Sequence, residues 1–246
     1  MKWVRLFVPN PGAAIRLFCF PFAGGGASAF RPWCAGLPDF IEICPIQTPG
    51  REERHGEPLF TRMPDLADAA ASRIRPYLDK PFAFYGHSLG ALLAFEVARS
   101  LRRSGAPLPL TMFLSAHRAP HLPLGRRTFH DLPDGELIAE IRDLNGTPEA
   151  LLDDRDALEY LLPIVRADLE VCDTYRWVEE PPLPVPLVVY GGALDRSVPP
   201  QHLEGWASHT TGSFALQIFP GNHFFLRSQQ VPLLRSLESH LAAYLP

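Results

Sequence analysis

No run of this sequence is apolar for long enough to cross a bilayer as a helix. The opening residues, Met1-Lys2-Trp3-Val4-Arg5-Leu6-Phe7-Val8-Pro9, lack the extended apolar stretch and small-residue cleavage site of a secretory signal. No membrane partner and a cytoplasmic location are therefore expected. Cysteine is scarce. The four residues Cys19, Cys34, Cys44 and Cys172 form no C-x-x-C pair, so they read as buried thiols, not as disulfide staples or zinc ligands. A surplus of positive charge is also missing, and a net charge of −4 argues against nucleic acid as the main partner. There is no internal repeat, no H-E-x-x-H motif and no second cluster of ligand residues, so no metal is expected. Proline is plentiful instead: 27 residues placed between apolar runs, where they punctuate loops. The chain has 246 residues, 46% of them hydrophobic and 20% charged, which suits one α/β domain with an insertion and a core of its own.

The most informative stretch is Pro81-Phe82-Ala83-Phe84-Tyr85-Gly86-His87-Ser88-Leu89-Gly90, followed by Ala91-Leu92-Leu93-Ala94-Phe95-Glu96-Val97-Ala98. A short apolar strand runs into G-x-S-x-G and then into a helix, which is the context of a nucleophile elbow. Glycine at 86 and 90 permits the tight turn, because a side chain there would meet the neighbouring strand or helix. The helix N-terminus beneath Ser88 favours developing negative charge. The same five-residue pattern also arises by chance; its position between strand and helix is what selects the catalytic reading.

Around the elbow, strands and helices alternate. Arg16–Phe20 reads as a strand buried on both faces, and it feeds Pro21-Phe22-Ala23-Gly24-Gly25-Gly26-Ala27-Ser28. That glycine loop lacks the Lys-Ser/Thr of a phosphate cradle and suits the loop that donates an oxyanion N–H in α/β-hydrolases. Ile41–Ile46 is a strand, and 63–78 has helical spacing. The elbow helix is expected to bury Leu92, Leu93, Val97 and Leu101, to show Arg99, Arg102 and Arg103 to water, and to stop at Gly105. After the strand at Leu110–Ser115 the rhythm breaks. Residues 117–180 carry only helix signals: one segment from Asp134 to Gly146, a start at Thr147-Pro148, and a helix over 156–177 broken or kinked at Pro163. Its insertion just after a core strand suits a lid over a site, as against extra core. Strands return at Val185–Tyr190 and Phe214–Phe219, and a last helix covers 231–244. The fold class is thus α/β: a mostly parallel sheet flanked by helices, with one domain over 1–246 and a helical lid inserted at 117–180.

A serine hydroxyl needs a base to take its proton, and the base needs a third group to fix its tautomer. Asp195 and His223 each follow a predicted strand on the edge that carries Ser88, in the order serine, acid, histidine. Among nine histidines, His87 packs or lines the pocket, while His117, His121 and His130 are lid-entrance loop residues. Asp168 and Asp173 lie on the inserted helix, the wrong place for the acid.

With these pieces placed, the sequence resembles the type II thioesterases, the discrete α/β-hydrolases that accompany polyketide synthases and nonribosomal peptide synthetases. The resemblance rests on Cys19-Phe20-Pro21-Phe22-Ala23-Gly24-Gly25, Gln47-Thr48-Pro49-Gly50-Arg51-Glu52, Gly86-His87-Ser88-Leu89-Gly90-Ala91, Ser115-Ala116-His117-Arg118-Ala119-Pro120, Leu169–Tyr175, Gly191-Gly192 with Asp195, and Pro220-Gly221-Asn222-His223-Phe224-Phe225-Leu226. The chain departs from many relatives at Phe22 and Arg196, neither of them in the triad. The resemblance implies a serine thioesterase acting on acyl groups carried by the phosphopantetheine arm of acyl or peptidyl carrier proteins, in an editing role. It implies oxyanion N–H groups at Ala23 and Leu89, a pocket wall that includes Phe22, and no cofactor; a monomer is expected. Arg51, Arg54, Arg118, Arg126 and Arg127 are the candidates for steering an acidic carrier. The rival readings are an esterase or lipase of free small esters, and a catalytically silent binding module on the same scaffold.

Overall fold

In a computed structural model, residues 2–245 are described. Six parallel strands form one sheet: β1 (Ile15–Phe20), β2 (Ile41–Pro45), β3 (Phe82–His87), β4 (Met112–Ser115), β5 (Leu187–Gly192) and β6 (Phe214–Phe219). Their spatial order is β2-β1-β3-β4-β5-β6. The chain moves outward in one direction from β1 and in the other from β3. The loops leaving these two strands therefore flank the switch point, the place where open α/β sheets bind ligands.

Alternation along the strands explains why both faces are dry. Phe18 and Phe20 of β1, with Phe82 and Phe84 of β3, face α1 (Met63–Ile74) and α2 (Leu89–Arg103). The intervening Leu17, Cys19, Ala83 and Tyr85 face Phe30 and Trp33, which lie on a 3₁₀ segment over Ala27–Ala35. Between Ser115 and Leu187 the described chain adds no strand. It forms α3 (Asp134–Leu144), α4 (Glu149–Leu152) and α5 (Arg155–Asp173), whose apolar faces meet in a separate cluster of Leu137, Ile141, Leu152, Leu162 and Val165. The remaining helices are α6 (Pro200–Glu204), α7 (Phe225–Ser228) and α8 (Gln230–Ala242). Leu233, Leu234, Leu237 and Leu241 of α8 complete the second face.

Several expected details change. Helix α1 stops at Ile74 and passes into a 3₁₀ turn over Arg75–Tyr77; Arg75 keeps helical backbone, but Pro76 has no N–H to continue the helix hydrogen bonds. Helix α5 is not broken at Pro163. It starts one residue earlier than expected, where the Asp154 carboxylate accepts the Ala157 N–H at 3.0 Å, and it ends at Asp173. Asn145, in left-handed backbone, closes α3 ahead of Gly146. Arg99 is buried rather than facing water: it bonds Glu96 at 2.6 Å and Glu180 at 2.9 Å, with Trp177 beneath its guanidinium. All four cysteines are free, Cys19 and Cys44 buried and the other two half-buried.

Candidate active site

The turn after β3 puts Ser88 at φ 55° and ψ −121°, a conformation that non-glycine residues rarely hold. The surroundings over-determine it. A Cβ on Gly86 would lie 2.1 Å from the Gly90 carbonyl, and one on Gly90 would lie 2.0 Å from the Phe20 carbonyl. Only glycine at both positions lets β1, β3 and α2 approach this closely.

The structure brings Ser88, Asp195 and His223 together. His223 Nε2 is 3.0 Å from Ser88 Oγ, and its Nδ1 is 2.7 Å from Asp195 Oδ2. All three follow the carboxyl ends of parallel strands, so one sheet edge sets their spacing. Asp195 Oδ1 accepts the backbone N–H of Ser197 at 2.9 Å and its hydroxyl at 2.6 Å, together with the Val198 N–H at 3.2 Å. Burial alone would raise the Asp195 carboxyl. The bond and charge of His223 and the Ser197 donors outweigh burial and hold it below the usual carboxylate range. It stays ionised and keeps the imidazole proton on Nδ1, leaving Nε2 to face the serine.

Neither Ala23 N–H nor Leu89 N–H finds an acceptor among the described residues. Leu89 is the first residue of α2, where the helix has free donors. Phe22 lines the chamber, its ring 4.9 Å from that of Phe224. His87 does not line it. It is fully buried, 2.9 Å from Ser115 Oγ through Nδ1, and its ring packs against His223 and Phe225. It is a packing residue, because the residue ahead of Ser88 still points into the sheet. Burial first, then the proximity of His223, push its imidazole well below the ordinary value. A neutral His87 places no second cation beside His223.

Above the triad is a chamber of about 990 Å³, bounded on one side by Phe22, Ser88 and His223 and on the other by Leu137, Ile141 and Val165 of the helical cover. Its volume lies at the upper end of small-molecule sites, and its walls are largely apolar.

Of the arginines expected to steer a partner, two are unavailable. Arg51 is buried against Asp168, and Arg54 is buried with Glu57 and stacked on Trp3. Arg126 pairs with Asp173 at 2.9 Å, and Arg127 with Glu136 and Glu140. Arg118 is half-buried and bonds the Leu122 carbonyl. The lid-entrance histidines go to separate partners: His117 to the Arg118 carbonyl, His121 to His209, His130 to Asp173. Ser197 escaped sequence reading, although a serine two residues after the acid is a local turn signal. The Arg51–Asp168 pair also escaped it, since 117 residues separate the partners.

Comparison with known proteins agrees with this geometry. The Thioesterase domain family model matches residues 15–241. The gramicidin S biosynthesis protein GrsT of Aneurinibacillus migulanus is 42% identical, over 95% of this chain and 91% of that one. The thioesterase RedJ from the prodiginine pathway of Streptomyces coelicolor superposes with a TM-score of 0.89 at 42% identity, covering 94% of this chain and 92% of its own. The type II thioesterase BorB from the borrelidin cluster gives 0.90 at 35% identity and 97% coverage of both chains. In sequence and in fold alike, this chain belongs to the thioesterase family, in its type II branch.

Proposed function

We propose that the chain hydrolyses acyl thioesters presented on the phosphopantetheine arm of carrier proteins, clearing acyl groups from polyketide or nonribosomal peptide synthases. The observation that supports this most is the Ser88–His223–Asp195 relay opening into a largely apolar chamber. Ser88 Oγ attacks the thioester carbonyl carbon while His223 Nε2 takes its proton. The oxyanion is held by Ala23 N–H and Leu89 N–H, with the α2 terminus behind them. Collapse breaks the C–S bond, and the pantetheine sulfur leaves with the proton from His223. Water then attacks the acyl-serine, His223 again acting as base, and the carboxylic acid departs with Ser88 restored. The residues needed for these steps all come from the chain, so no metal or organic cofactor is invoked.

Residues 117–180 act as the lid, since α3–α5 form one wall of the chamber and pack mainly on one another. The chain works in the cytoplasm as a monomer. With Arg51 and Arg54 buried, selectivity for the carrier comes from the pantetheine arm and the chamber mouth more than from long-range charge.

The test presents one short acyl group on a carrier protein, on coenzyme A and as a simple oxyester. The expected order of kcat/KM is carrier, then coenzyme A, then oxyester. Faster cleavage of the oxyester would favour the free-ester hydrolase. Equal rates on carrier and coenzyme A would remove the carrier preference.

A further inference from the structure

A buried ion pair outside the triad sits beside the glycine loop. Arg51 and Asp168 are 5% and 3% exposed, and they meet in a two-pronged pair at 2.5 and 2.8 Å. As a fastener for α5 such a pair is a poor choice, because two apolar residues of similar size hold a buried contact as well or better. What distinguishes it is where its remaining bonds go. Asp168 Oδ2 accepts the Gly24 N–H at 2.8 Å, and Arg51 Nη1 donates to the Gly25 carbonyl at 3.1 Å. Inside the loop, the Gly25 N–H donates to the Phe22 carbonyl at 2.8 Å.

That last bond matters because Phe22 C=O and Ala23 N–H belong to one planar trans peptide and point in opposite directions. Fixing the carbonyl aims the N–H. Gly24 has φ +75°, and a Cβ there would lie 2.7 Å from Val165 Cγ2, so α5 rests directly on this turn. The clamp therefore runs from the lid helix through Gly24 and Gly25 to the peptide that carries the Ala23 donor.

We propose that Asp168, with Arg51 as its counter-ion, is a positioning residue for the oxyanion donor at Ala23, so that the hole is complete only while α5 is seated. This rests on the reading of Ala23 as a donor to the oxyanion.

The decisive variant is Arg51→Met with Asp168→Leu, which keeps α5 packed but leaves Gly24 N–H without its acceptor. The readouts are kcat, KM, thermal midpoint and the inhibition constant of an alkylboronic acid, which forms a tetrahedral adduct on serine. The expected result is a fall in kcat of about 10- to 100-fold at an unchanged midpoint and KM. Boronate affinity should weaken by the same factor, as for any mimic of the transition state. The control, Asp168→Asn combined with Arg51→Met, leaves no buried charge unpaired, keeps an oxygen for Gly24 N–H and should recover most of kcat. Should the double variant not fold, Arg51→Lys decides, with a lower kcat and unchanged KM expected because a point charge cannot hold both Asp168 and Gly25. Wild-type kcat in the folded double variant, or in Arg51→Lys, overturns the proposal. So does loss of kcat strictly in step with the thermal midpoint. Ser88→Ala run in parallel separates the two levels: full turnover there would sink the catalytic reading itself. A dead Ser88→Ala beside an unimpaired double variant would sink only the positioning role.

Discussion

The carboxyl edge of the sheet and the helical cover above it are held by different physics. Ser88 and Asp195 hang from β3 and β5, whose side chains are buried on both faces, and His223 follows the half-exposed edge strand β6; their distances follow from strand spacing. The cover has its own small apolar cluster, packs Val171 at the end of α5 into the main core, and otherwise reaches the body through polar contacts. These are the Arg51–Asp168 pair, the Arg62–Glu170 pair at 2.8 Å, and Tyr160 Oη accepting the Glu52 N–H at 2.9 Å. Elements with few buried ties open at lower free energy than a sheet core. In the proposed mechanism the chemistry is thus mounted on the sheet edge, and access is controlled by the part with fewer buried ties.

Disturbing the edge should have the largest effect. Asp195→Asn leaves the shape of the site but frees the His223 tautomer, and kcat should fall on the order of 10⁴. A loss below tenfold would mean that Ser197, whose hydroxyl is 3.1 Å from His223 Nδ1, orients the ring unaided.

Disturbing the cover should do less, and do it elsewhere. In the wild type, amides of α3–α5 are expected to exchange faster than those of β3 and β5. Tyr160→Phe removes the acceptor for the Glu52 N–H, a bond worth about 1 kcal/mol. Exchange across α5 should then speed up several-fold while β3 and β5 stay as they were. Equal acceleration of sheet and cover would show that the two are one cooperative unit.

An effect that vanishes near neutral pH is expected at the joint between them. His117 follows β4, and its Nδ1 is 2.7 Å from the Arg118 carbonyl oxygen. Burial, then the charge of Arg118, push its imidazole down to about 3. Below the ordinary value near 6.5 the unfolded chain binds a proton that the folded one refuses. Stability is therefore lost as pH falls from about 6.5 towards 3, at up to about 1.4 kcal/mol per pH unit. In His117→Gln that part of the slope should vanish in denaturant titrations at pH 6 and pH 5. An unchanged slope would mean that His117 becomes protonated in place.

The edge was legible in the sequence and the cover only in outline, for physical reasons. Elbow glycines, strand-end polar residues and apolar runs are local signals, so Ser88, Asp195 and His223 could be placed from neighbours alone. The cover is recognisable as helical, yet α5 runs without a break past Pro163, where the sequence predicts a break or a kink. Arg99 departs from expectation too: helical spacing puts it on the water side, but Glu180 and Trp177 come from a distant segment and cover it. The Arg51–Asp168 clamp has no local signature at all, since each residue reads alone as a surface charge. Arg51 alone reads as a surface charge suited to docking, while Asp168 is excluded as the triad acid only by its place on the inserted helix.

The proposed mechanism requires a covalent acyl group at Ser88. Wild-type protein mixed with an acyl-loaded carrier, quenched within the first turnover and mapped by mass spectrometry, should carry the acyl mass on the peptide containing Ser88. Free carrier thiol should appear in equal amount, and Ser88→Ala should yield neither. Release of thiol by Ser88→Ala at the wild-type rate, or an acyl adduct on any other residue, would contradict it.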